Sequence, residues 1–179
     1  MPLISVLENG ARLLIDDGSL ELEVGKTDIW GAWCVVRHGG QLEGRKSIAA
    51  PELRVLQPAL TEEDRENLAL AKTYGVSQVM LPFVRSKEDI LCLRRALDEA
   101  GAPDTEIFAK LENQAGVDAL DEIISAAQHI VVARGDLGSN IPLWTLPRTQ
   151  KKIAAACNAA QKPFMVVTQL LHSMTASPV

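Results

Sequence analysis

Little in this chain points to a membrane, a nucleic acid or a disulfide scaffold. No apolar run approaches the roughly 18 residues of a bilayer span, so no membrane partner is expected. Cysteine is scarce: Cys34, Cys92 and Cys157 are odd in number, far apart and never in a C-x-x-C pair, which argues against a disulfide framework and the common zinc motifs. They are read as small buried hydrophobes, and free thiols suit a reducing compartment, so a cytoplasmic location is expected. Aromatic residues make up only 4% of the chain, and the formal net charge is −5. With no Lys/Arg stripe interleaved with aromatics, nucleic acid is not an expected partner. The N-terminus lacks a basic stretch followed by an apolar core, so no secretory signal is expected. His38, His129 and His172 share no metal-ligand spacing and are read as structural or surface residues. No G-x-G-x-x-G or G-x-x-x-x-G-K-[ST] follows an apolar run, which counts against a Rossmann or P-loop nucleotide site.

What remains is a chain of 179 residues, 47% hydrophobic and 23% charged, enough for one domain with a small appendage. Its character changes near residue 51. Before that point, short alternating runs (ARLLIDDG, SLELEV, AWCVVRH) are separated by Asp17-Gly18, Gly25 and Gly39-Gly40, the pattern of a small antiparallel β element. Asp16-Asp17-Gly18 reads as a hairpin turn, since the later acidic ligands of a calcium loop are missing. After residue 51, helix and strand patterns alternate. Thr61 with Asp64 forms a capping-box pattern for a helix closed by Gly75, and VSQVMLPFV (76–84) follows as a strand. Ser86 with Asp89 repeats the cap before a helix with Ile90, Leu93 and Leu97 on one face, stopped by Gly101. Then come a strand over 105–111, a helix over 117–127 with Leu120, Ile123 and Ile124 inward, a strand over 129–134, a helix over 147–160 and a strand over 163–171.

Four helix–strand units imply a parallel sheet with right-handed crossovers. A doubly wound sheet and a (β/α)8 barrel both begin this way, and polar residues at every strand end favour the barrel. A full barrel takes about 250 residues, so the expected fold class is α/β: a partial TIM barrel of about four β/α units over 51–179, preceded by a small β-rich partial lid over 1–50. Two strand ends carry the chemistry. In IFAKLEN, Lys110 and Glu112 are two apart and leave the strand on one face; in VVARGDLG, the strand opens into Arg134-Gly135-Asp136. Two carboxylates from neighbouring strands suit Mg2+ or Mn2+, which keep waters and take substrate oxygens. A lysine beside them would face developing negative charge, as in phosphoryl transfer or enolate chemistry. Gly135 lets the backbone approach a ligand, with N–H groups beyond it open to a carboxylate or phosphate, and Thr168 brings a hydroxyl to the same mouth. The competing account of Lys110 and Glu112 is a surface ion pair.

At these residues the chain resembles the pyruvate kinase family. AKLENQAGVDALDEI, VVARGDLGSNIP and QKKIAAACNAAQKPFMVVTQLLHSM are similar to its three site segments, while ARLLIDDGSLELEV and GGQLEGRKSIAAPELRVLQPALTEED resemble the second half of its mobile lid and the return into the barrel. The resemblance implies that Lys110 stabilises the transferring phosphoryl group, that Glu112 and Asp136 bind the divalent metal, and that Arg134, Gly135, Asp136 and Thr168 bind substrate, Thr168 also assisting enolate protonation. It implies that Lys46 contacts nucleotide. The implied reaction moves phosphate from phosphoenolpyruvate to ADP, giving pyruvate and ATP, with Mg2+ (or Mn2+) and K+. The family's first barrel strands, with their substrate-binding arginine and potassium site, have no counterpart here, nor does its C-terminal domain. Asn140 and His172 stand where the family has Glu, Pro82 where it has Ser, and Ser47 and Ala49 replace a Gly and an Asn of the lid return. The alternative expectation is therefore a divergent relative without kinase activity that binds a 2-oxo acid and metal or serves as an assembly subunit. Exposed sheet edges near 76–84 and 163–171 would be covered by missing chain segments or by a second half-barrel, so a homo-oligomer is expected.

Overall fold

A computed structural model describes residues 3–16, 18–51, 53, 58–171, 174 and 177. Asp17 of the expected hairpin turn and His172 lie outside the described residues. The chain divides into two compact units, Met1–Gln57 with Gly138–Leu143, and Pro58–Leu137 with Trp144–Val179.

The first unit is an antiparallel sheet of β1 (Arg12–Ile15), β2 (Leu20–Thr27), β3 (Ala32–His38) and β4 (Ile48–Ala49), in the order β3-β2-β1-β4. Period-two alternation points Leu13 and Val24 into a small cluster with Leu7 and Ala11, against which Leu22, Ala32 and Cys34 pack. The β2–β3 connection is closed by Asp28, whose carboxylate accepts the N–H groups of Trp30 (2.8 Å) and Gly31 (3.0 Å), the local bonding that favours Asp in turns.

The second unit opens with α1 (Glu62–Leu68), where Thr61 and Asp64 exchange both bonds of a capping box. The helix stops at Leu68 rather than running to Gly75. None of its residues is buried, so no packed face sustains further turns. β5 (Gln78–Leu81) is shorter than the apolar run around it, because Pro82 has no N–H for the ladder and Phe83 turns left-handed at φ +50°. α2 (Lys87–Glu99) buries Ile90, Leu93, Ala96 and Leu97. Ser86 makes no side-chain cap bond there; Asp89 is held instead by the Arg85 N–H and guanidinium. After β6 (Glu106–Leu111) the expected single helix is two, α3 (Gln114–Asp118) and α4 (Leu120–Ala126), broken at Ala119. Asn113 caps α3 through the Gly116 N–H, and the bend lets Val117 be buried along with Leu120, Ile123 and Ile124. β7 (His129–Ala133), α5 (Arg134–Asn140), α6 (Leu146–Ala159) and β8 (Phe164–Val167) complete the series. β8 ends early because Thr168 and Gln169 are left-handed, at φ +60° and +47°.

β5-β6-β7-β8 form one parallel sheet in chain order, and α2, α4 and α6 lie side by side as its helical layer. This is a mixed α/β architecture, and no closed barrel forms among the described residues. Ile107, Ala109 and Leu111 of β6 are fully buried, while Phe108 and Lys110 on the opposite face are half-buried. At the base of the sheet, the Gln128 N–H donates to the Ile107 carbonyl and its side-chain oxygen accepts the Ile107 N–H (2.9 Å). The sequence alternation thus assigns one face of β6 to the core and leaves the other to Lys110 and Glu112, whereas β7 is buried on both faces.

Candidate functional site

The site grows from the C-terminal ends of β6, β7 and β8, where parallel sheets gather their loops. Lys110 Nζ lies 2.5 Å from Glu112 Oε1. The two are no ordinary surface pair, because Glu112 is 0% exposed and its lysine partner only 23%. Glu112 Oε2 accepts the Phe83 N–H at 2.8 Å. Oε1 is buried and is engaged by the Lys110 ammonium alone.

Burial is the main influence on the Glu112 carboxyl and raises it above the ordinary value. Lys110 and the Phe83 N–H oppose that rise, and the charge of Asp136 adds to it. Asp136 lies in the first turn of α5, directly after the neighbouring strand β7. A buried Glu112 carboxylate that feels the charge of Asp136 offers oxygen donors of the kind a divalent cation takes. These residues fit such an ion. Among the described residues, no group of three or more His, Cys, Asp or Glu side chains is arranged to hold a metal, so the two carboxylates would need water or substrate oxygens to complete a shell.

Arg134 donates to Gln150 Oε1 at 2.5 Å, while its Nε is buried without a partner. The Gly135 N–H donates to Thr168 Oγ1 at 3.1 Å. β7 and β8 are thus tied together at their ends through Gly135 and Thr168. Thr168 is β-branched and left-handed, a costly combination. Lys46 belongs to the first unit, where its Nζ pairs with Asp16 (3.2 Å) and Glu43 (3.5 Å). Those carboxylates, Asp16 first, hold the ammonium above its ordinary range.

A family model described as pyruvate kinase, barrel domain, matches residues 1–179. The chain belongs to the pyruvate kinase family. It is 38% identical to a pyruvate kinase of Clostridium acetobutylicum over 169 residues, covering 94% of this chain and 36% of the relative. A Clostridium perfringens pyruvate kinase is 38% identical over 172 residues, covering 96% and 36%, and one from Geobacillus stearothermophilus is 38% identical over 178 residues, covering 98% and 30%. The chain therefore spans about a third of the length of these pyruvate kinases.

Three contributors escaped the sequence pattern. Phe83 supplies a backbone donor to Glu112, Asn113 donates to the Val84 carbonyl at 3.3 Å, and Gln150 holds Arg134. Only Pro82-Phe83 left a trace, since a proline at the second position of a turn often precedes a left-handed residue. That third position is usually glycine, and phenylalanine hides it.

Proposed function

We propose that this chain carries the phosphoenolpyruvate and metal corner of a pyruvate-kinase-like phosphotransferase. The observation behind this reading is the Lys110–Glu112 ion pair, its carboxylate fully buried, at a parallel-strand end. Family membership supplies the reaction: phosphoryl transfer between phosphoenolpyruvate and ADP, giving pyruvate and ATP. In this scheme Glu112 and Asp136 would hold Mg2+ or Mn2+, which would supply charge neutralisation for the oxygens of the transferring group. Lys110 stabilises the transferring group electrostatically. Arg134, with its unpartnered Nε, and the Gly135–Asp136 backbone bind the substrate carboxylate, and Thr168 holds the proton-donating position on the enolate side. Lys46 contacts the nucleotide after exchanging its carboxylate partners. K+ enters as the family's second cation, and its ligands are not among these residues.

The whole enzyme's activity belongs to a longer constellation than these residues, so assembly is part of the proposal. β5 and β8 are the outer strands of the parallel sheet, and Met80 and Met165 on them are 50% and 40% exposed. Unpaired parallel edges of this kind call for a cover, either further strands of the barrel or a second copy. The cytoplasm is the proposed location, in keeping with the free thiols of Cys34, Cys92 and Cys157; no helix of the described residues is long and apolar enough to cross a membrane.

The test is a coupled assay of pyruvate formation from phosphoenolpyruvate and ADP with Mg2+ and K+, comparing the chain with Lys110→Met. Activity abolished by the substitution is the expected result. No activity in either, with oxalate still bound, would move the chain to the second reading, a protein that binds a 2-oxo acid without phosphoryl transfer.

A further inference from the structure

Phe83 is held in an unusual way. Its φ of +50° lies in the left-handed region, where a bulky side chain crowds the backbone and glycine is the ordinary occupant. Its ring is 50% exposed, so packing of the side chain does not account for the conformation. The residues on either side do. Leu81 is fixed in the ladder opposite Ala109. On the other side the Val84 N–H donates to the Lys110 carbonyl (3.3 Å) and the Val84 carbonyl accepts from Asn113 Nδ2 (3.3 Å). Val84 is fully buried, and its carbonyl packs so closely on Gly116 that a Cβ there would approach to 2.5 Å. Arg85 is then anchored to Asp89 by three hydrogen bonds. Between two fixed points, the chain at Phe83 has one outcome of note: its N–H is turned onto Glu112 Oε2 at 2.8 Å.

We propose that Phe83 is a positioning residue whose left-handed backbone holds the Glu112 carboxylate for a divalent cation. This rests on the metal-site reading above. With Oε2 engaged by a backbone donor, the carboxylate cannot rotate to bond elsewhere, and Oε1 is the oxygen presented beside Lys110. Strain that neighbouring contacts over-determine is a recurrent feature of ligand-holding sites. Here the backbone conformation carries the function and the aromatic ring does not. A site competent for only a fraction of the time loses apparent affinity by that fraction. Cation affinity should therefore follow how easily residue 83 adopts positive φ.

The experiment is titration of the 179-residue chain with Mn2+, read by electron paramagnetic resonance of the free ion, alongside hydrogen exchange at the residue 83 amide. Phe83→Gly, Phe83→Asn and Phe83→Leu are expected to bind Mn2+ within about twofold of the parent. Phe83→Val, whose β-branch resists positive φ, is expected to bind about five- to tenfold more weakly, with faster exchange at residue 83. Glu112→Ala should speed the same exchange in the otherwise unchanged protein. Parent-like affinity in Phe83→Val would overturn the proposal, and so would a loss in Phe83→Gly and Phe83→Asn as large as in Phe83→Val, since the ring would then be responsible. If the valine variant does not fold, the glycine and asparagine variants still decide, because affinity lost in both refutes a backbone role. Absence of Mn2+ binding to the parent, with the residue 83 amide still protected, would instead remove the metal-site reading and this inference with it.

Discussion

The parallel sheet of the second unit and the antiparallel sheet of the first are both four strands wide, yet they exclude water to different degrees. Ile107, Leu111, Ile130, Val131 and Val132 are all 0% exposed, whereas in the first unit Val24 alone of the described strand residues reaches 0%, Leu13, Ile15 and Leu20 keep 6–8%, and Trp33, Val35 and Val36 on β3 are more than half exposed. The helical layer makes the difference, since it seals one face of the parallel sheet along its length. The charges follow suit. In the first unit, Arg37 and Glu23 (2.8 Å) or Lys46 and Asp16 meet in solvent, where pairing is weak. In the second, Lys110 meets a Glu112 carboxylate that is wholly shut off from solvent.

Truncation breaks this contrast most directly. Ile130→Ala is expected to cost about 3–5 kcal/mol, and Leu13→Ala no more than about 2 kcal/mol, because the thinner core relaxes around the lost methyl groups. Chemical denaturation monitored separately in each unit measures both, and equal losses would erase the distinction. Gly116→Ala should cost about 1–3 kcal/mol by overpacking, since its Cβ meets the Val84 carbonyl oxygen at 2.5 Å.

Next comes the cost of holding a charge in the dry unit. Glu112 has its carboxyl raised by burial; a raised folded value means that stability is fully present below the unfolded value and is lost as pH climbs through the folded one. At neutral pH the chelator-treated Glu112→Gln protein should therefore melt a few degrees higher than the parent while failing to bind Mn2+. A melting temperature that falls instead would show the ion pair to be a net stabiliser. The smallest effect is at Glu106, whose carboxyl is lowered by the Gln78 amide and then by His129 (3.1 Å). A depressed value gives stability that is present above the ordinary value near 4.5 and is lost as pH falls through the depressed one. Gln78→Ala should flatten the melting profile slightly on the acid side, and an unchanged profile would leave Glu106 without a role there.

The parts of the molecule legible in the sequence are those governed by a period. Alternation in β6 placed Lys110 and Glu112 on one face, and the spacing of Ile90, Leu93 and Leu97 placed them inward, as they are. What escaped depends on contacts between segments distant in the chain. The helix after Thr61 stopped early for want of a packed face, the helix over 117–127 broke so that Val117 could also be buried, and Ser86 lost its cap role when Asp89 turned to Arg85. Phe83 is the sharpest case: a half-exposed phenylalanine has no visible signature of a backbone donor, and only the folded path from Leu81 to Val84 creates it. Gly135, Asp136 and Thr168 stood out as strand-end candidates in the pattern itself, and the substrate role proposed for Arg134 came from family resemblance, while the hydrogen bond joining Gly135 to Thr168 is a product of the fold.

Gln128 lies at the opposite end of the sheet from all of this chemistry. By bonding Ile107 with both its main chain and its amide, it acts as a ruler for how β6 and β7 align at their starting ends. A slip of one residue would exchange the two faces of β6, sending Lys110 and Glu112 beneath the helices and bringing Ala109 and Leu111 to the mouth. The facing of Lys110 and Glu112 is in that sense written at the foundation of the strand, in a surface glutamine at its far end.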